Sequence, residues 1–163
     1  MSSGLTPETV MALVSAGVSQ VDIAKRFGVT RQYVNKLAKK AGHVSAMTII
    51  NDNLPWKVGG AYQDNTIYQG IRLIAHYNLE GERAFEGRPT NLRKLKAIMR
   101  KLHVFQQVVD FDPEYPAVPG VVNGPGFAYV PRTPRDKDLA IKIKPSLRFT
   151  RLGETLWKLP PML

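Results

Sequence analysis

Along residues 19–41, apolar positions recur at the spacing of two short helices, with Ile23, Phe27, Val29, Val34 and Leu37 as the inward set. Ala24 supplies the small side chain needed where two helices nearly touch. Gly28 stands between them, where a sharp turn asks for positive φ and therefore for glycine. Ser19 caps the first helix, with Asp22 three residues on in a capping-box arrangement, and Thr30 caps the second. Taken from Gln20, this order of apolar, small and turn positions predicts a helix-turn-helix; the alternative is a helical hairpin that packs against protein. Its second helix is expected from about Arg31 to Ala41, with Val34, Leu37 and Ala41 inward and Gly42 ending it. An earlier helix starts at Thr6-Pro7-Glu8, which offers a cap, a proline at the first helical position and an acid at the positive dipole end. Val10, Leu13 and Val14 share its inner face and Gly17 closes it. Residues 1–5 read as a loose lead-in.

Beyond Gly42 the period loosens, and residues 43–55 read as a linker between a first domain at 1–42 and a second at 56–163. Within it, residues 45–50 suit either a short helix or an extended connector, followed by the turn formers Asn51, Asp52, Asn53 and Pro55. Trp56 and Val58 are the first core candidates of the second domain. A helix is expected at about 64–79, with Ile67, Ile71 and Ile74 on one face and Asn65, Gln69, Arg72 and His76 on the other. Thr90 reads as the cap of a further amphipathic helix whose inner stripe is Leu92, Leu95, Ile98, Met99 and Leu102. After His103 the period turns extended. Val108, Val109 and Phe111 suggest a strand stopped by Asp112-Pro113, and the prolines between 113 and 134 exclude a helix there. Residues 126–130 and 139–143 read as two more strands joined by the basic loop PRTPRDKD. Residues 145–163 contain Trp157 but no clear period. The expected fold class is α+β: an all-α helix-turn-helix domain, then a small mixed domain of two main helices and a short, mainly antiparallel sheet.

Charge changes this picture more than composition does. A hydrophobic content of 44% is that of a chain that buries a core. The net charge of +10 points to a polyanion, whose bound counterions a basic surface releases on contact. With no cysteine, disulfides, thiolate zinc sites and cysteine nucleophiles are excluded. The first residues lack the apolar core of a signal peptide, and no apolar run approaches the ~20 residues of a membrane span. The expectation is a soluble cytoplasmic protein with double-stranded DNA as its partner, no membrane association, and no cofactor or small-molecule ligand in evidence.

Candidate chemistry lies mainly on the second helix of the motif. Arg31, Gln32 and Asn35, joined by Lys36, have the side chains that bond base edges, Tyr33 can bond a phosphate or touch a thymine methyl, and Lys39 and Lys40 suit phosphate. Thr30 at its start joins this DNA-binding set, and Ser19 and Gln20 at the start of the helix before are phosphate candidates. In the second domain Arg93, Lys94, Lys96, Arg100 and Lys101 form a basic face without an interspersed acid, which forgoes every stabilising Glu-to-Lys pair. That face, or Arg132, Arg135 and Lys137 in the basic loop, is read either as a phosphate contact or as a solvated surface. Asn65, Gln69, Arg72 and His76 are a second candidate reading stripe, set against a solvated helix face. His43, His76 and His103 lack metal-ligand spacing. Asp110, Asp112 and Glu114 raise the possibility of magnesium-dependent nuclease chemistry, with a strand terminator as the simpler reading.

Several of these segments together resemble the immunity repressors of temperate phages that infect mycobacteria and related actinobacteria. The likeness is carried by the N-terminal helix-turn-helix followed by NLPWKV at 53–58, VVDFDP at 108–113, and GFAYVPR with DLAIKI within 126–143. The resemblance implies a non-enzymatic repressor that shuts off early lytic transcription, maintains lysogeny and binds dispersed asymmetric sites, called stoperators, where it impedes elongation. It further implies a second domain that helps bind DNA and a monomer that occupies one site, in keeping with the lack of a heptad seam. Residues 145–163 match no family pattern. The alternatives are a recombination or DNA-processing enzyme whose helix-turn-helix is a targeting arm, and a dimeric ligand-sensing regulator.

Overall fold

The computed structural model describes residues 4–163, which divide into two compact units, the first ending at Ser45 and the second spanning Ala46–Leu163. The first unit holds α1 (Pro7–Ser15), α2 (Gln20–Phe27) and α3 (Arg31–Lys40). Each begins where a hydroxyl satisfies a free amide. Thr6, Ser19 and Thr30 accept from the N–H of Thr9, Asp22 and Tyr33, each at 3.1 Å. Gly28 ends α2 at φ +64°, and the chain re-enters a helix three residues later. Val10, Ile23, Val34 and Ala38 are fully buried between the three helices.

Two expectations for this unit need correction. Leu5, expected in a loose lead-in, is buried in the core; Met1, Ser2 and Ser3 lie outside the described residues. Ala38 rather than Ala41 completes the inward face of α3, because the helix ends at Lys40 and Ala41 is only half-buried in the cap.

The second unit contains α4 (Ala46–Asp52), α5 (Thr66–Glu80), α6 (Pro89–Val104), β1 (Gln107–Phe111), β2 (Phe127–Pro131) and α7 (Gly153–Leu156). Residues 43–55, expected to join the two domains, thus hold a helix whose Ile50 is fully buried in the core of this unit. α5 and α6 pack Ile67, Ile71 and Ile74 against Leu95, Ile98 and Leu102. Arg88, not Thr90, occupies the cap position of α6. Pro89 takes the first helical place with its φ already set, and no side chain caps the start.

β1 and β2 pair antiparallel, with Val109 opposite Tyr129 and Phe111 opposite Phe127. Gly126, at φ +97°, leads into β2 so close to Tyr62 that a Cβ would lie 2.5 Å from the ring. Residues 139–143 do not form a third strand. They make one parallel bridge to β1 at Val109–Ile141 and one antiparallel bridge to the tail at Leu139–Lys158, so their backbone is divided between two partners.

The tail itself is core. Trp157 is completely buried, its ring 6.0 Å from that of Trp56 and its Nε1 donating to the Asn53 carbonyl at 3.0 Å. Asn78 on α5 donates to the carbonyls of Leu156 and Lys158, which fixes the chain on either side of the indole.

Candidate nucleic-acid interface

α3 buries Val34, Leu37 and Ala38 and turns the rest of its surface outward. Arg31, Gln32, Tyr33, Lys36, Lys39 and Lys40 are exposed, and Asn35 is half-buried at the edge of the same face. No acid lies on the helix, so its outer surface is a run of donors and cations. Thr30 and Ser19 have their oxygens engaged as caps, yet each hydroxyl keeps its proton to donate to a neighbouring acceptor. Gln20, beside Ser19, is half-buried. The arrangement can therefore offer amide and guanidinium groups to base edges and ammonium and hydroxyl groups to phosphate.

In the second unit the candidates separate into three groups. Arg93, Lys94, Lys96 and Arg100 are exposed on α6. Among the described residues the ion pairs are His76–Glu80, Lys142–Asp136, Lys144–Asp110 and Lys158–Asp138, so no carboxylate engages these four. Lys101 is partly withdrawn, its ammonium 4.2 Å from the centre of the Tyr129 ring in a cation–π contact. Burial pushes the Tyr129 phenol above its ordinary pKa, so the ring stays neutral beneath the cation. Gln69, Lys94 and Lys101 share one shallow cleft with Thr66 and Tyr129.

Asn65 is no reading residue. It is buried as the cap of α5, accepting from the N–H of Ile67 and Tyr68 and donating to the carbonyls of Gly124 and Pro125. Arg72 is committed to Asn51 and to the face of Tyr68, and His76 is buried beside Glu80 and Phe85. The predicted stripe on α5 thus reduces to Gln69, because α5 is covered on more of its circumference than a two-sided amphipathic pattern implies.

In the basic loop, Arg132 is a strut rather than a free cation: its guanidinium donates to the carbonyls of Lys137 at 2.8 Å and Leu139 at 2.6 Å. Arg135 and Lys137 remain exposed around Asp136, which is completely buried. Asp110 pairs with Lys144 at 2.8 Å and accepts from the Tyr115 hydroxyl at 2.8 Å, while Asp112 accepts from the Glu114 N–H. Burial and the Asp110 carboxylate together push the Tyr115 phenol up to about 12. These acids serve the loop after β1, and among the described residues no group of three or more metal-ligating side chains forms.

Sequence reasoning passed over Val104 and Phe105, two exposed apolar residues at the end of α6, because an apolar pair there looks like the approach to a strand.

The repressor-like immunity protein of Mycobacterium phage L5 is 31% identical to this chain over 158 residues, covering 96% of the chain and 85% of that protein. The chain belongs to the mycobacteriophage immunity repressors. No family model matches it. Both units of this repressor fall within the shared length, so the kinship extends well past the three N-terminal helices. None of its described helices is long and apolar enough to cross a membrane.

Proposed function

We propose that this repressor is a sequence-specific, non-enzymatic DNA-binding protein that holds phage lytic transcription off in the cytoplasm of a bacterial host. In this reading α2, the turn at Gly28 and α3 act as a helix-turn-helix. α3 enters the major groove, Arg31, Gln32 and Asn35 meet base edges, and Lys39, Lys40, Ser19 and Thr30 meet phosphate. The observation that carries it is the exposed, acid-free face of α3 held on a buried three-helix core. The basic face of α6 supplies a second set of phosphate contacts, so that one chain covers an asymmetric site longer than one recognition helix can read.

The test is selection of duplexes from a random pool by the full chain and by its Gln32→Ala and Asn35→Ala variants. Each substitution is expected to lower affinity for the wild-type site by about 1–3 kcal/mol and to relax preference at one position. Selection of the same consensus by all three chains contradicts the assignment of α3.

A further inference from the structure

We propose that Val104 and Phe105, at the end of α6, form an apolar wedge that enters a groove of duplex DNA and opens one base step, with Phe105 stacking on the exposed base. The proposal rests on the reading that α6 lies along DNA, and it adds a residue class that a phosphate-binding helix does not need.

Arg93, Lys96, Arg100 and Val104 follow one another at three- and four-residue spacing, so they stand on one face of α6. That face is a cationic track that ends in an aliphatic side chain, with Phe105 next. Phe105 is 65% exposed and Val104 57%; every other phenylalanine of the chain is buried or half-buried. A single exposed apolar residue is unremarkable on a protein surface, but two adjacent ones at the end of a charged track are a formed feature.

The corner that carries them is braced. Gln106 lies at φ +50° and Lys137 at φ +51°, the only non-glycine residues at positive φ among those described. Both line one cleft of about 250 Å³ together with His103 and Arg132. Gln106 donates its side-chain amide to the His103 carbonyl at 2.7 Å, and its own carbonyl accepts from the Arg132 N–H at 2.8 Å. Strained backbone persists only where its surroundings over-determine it, and here one strained residue, Gln106, directly follows the apolar tip and shares its cleft with the other, Lys137. A braced backbone presents the aromatic at a fixed place before binding, which lowers the ordering cost of insertion between bases.

Charge identifies the occupant. Arg100 and Lys101 precede the tip, and the exposed Arg135 and Lys137 belong to the loop on the far side of the cleft. Asp138, the one acid lining the cleft, lies 3.9 Å from the Lys158 ammonium. An apolar tip set among cations suits a polyanion with an apolar interior. The carbonyl end of α6 repels phosphate, so the helix end is better suited to base faces than to the backbone. A second copy of the chain is a poorer occupant, since two side chains fall far short of the roughly 800 Å² per partner that a stable dimer buries.

The experiment uses the full chain and a duplex that it has itself selected from a random pool, with 2-aminopurine replacing each adenine in turn. Wild-type protein is expected to raise the fluorescence at one step. Phe105→Ser, at an exposed position that leaves the core intact, is expected to abolish the rise and weaken binding about tenfold without changing the salt slope; Phe105→Trp restores both signals. A Phe105→Ser chain with wild-type affinity and wild-type fluorescence overturns the wedge while leaving α6 on DNA. If neutralising Arg93, Lys96 and Arg100 leaves the salt slope unaltered and the duplex stays silent with wild type, the underlying reading falls and takes the wedge with it. Sedimentation of a free dimer that Phe105→Ser converts to monomer overturns the assignment to DNA in favour of self-association.

Discussion

Asp136 sits at the centre of the loop that follows β2, completely buried, with the N–H of Thr133 at 2.8 Å, that of Ile143 at 2.9 Å and the Lys142 ammonium at 3.1 Å. Burial alone raises a carboxyl pKa, but these donors outweigh it and hold Asp136 below the ordinary aspartate value. A depressed folded-state pKa contributes stability that is fully present above the unfolded value of about 3.9 and is lost as pH falls through the folded one. The denaturant midpoint of the second unit should therefore decline as pH drops below about 4, and Asp136→Asn should flatten that limb while lowering the midpoint at neutral pH. A wild-type midpoint that is flat through the acid range contradicts this role. Polar residues such as Asn65 and His76 show why single residues were hard to assign from sequence. An asparagine at a helix start and one on a helix face look alike until the partner carbonyls of Gly124 and Pro125, some 60 residues away in the chain, are known.

At the scale of elements, α6 presents its inner stripe to the core and Arg93, Lys96 and Arg100 to solvent without a carboxylate partner, so these three charges can be removed without breaking an ion pair. Neutralising Arg93, Lys96 and Arg100 should leave thermal stability nearly unchanged and make the slope of log affinity against log salt shallower by up to about 2.7. An unaltered slope returns α6 to a purely structural role. Helices α1, α2 and α3 were legible because their signals are local: a capping side chain, an apolar period and a terminating glycine all fall within a few residues of one another, whereas α5 was legible from its apolar period without its cap, Asn65. The strand expected at 139–143 was misread because alternation reports a half-buried ribbon, not how many neighbours it bonds, and this ribbon gives one bridge to β1 and one to the tail. Trp157 had no local period at all. Its partners Asn53 and Trp56 lie about a hundred residues earlier, and only folding brings them together. Trp157→Ala should destabilise the second unit by about 3–5 kcal/mol, with the loss read from its denaturant midpoint while α1 to α3 keep their own transition.

At the scale of the whole molecule, a net charge of +10 is carried by two separately packed units, each with an exposed basic helix face. The kinship with the phage L5 immunity protein spans both. In the proposed function one chain reads one asymmetric site with both units. The most direct measurement is a hydroxyl-radical footprint on a selected duplex combined with the mass of the same complex in solution. A single chain per duplex is expected, with a footprint that lacks internal symmetry and extends beyond the reach of one recognition helix. Two chains on a palindromic footprint, with only the α1–α3 unit protecting DNA, would contradict it.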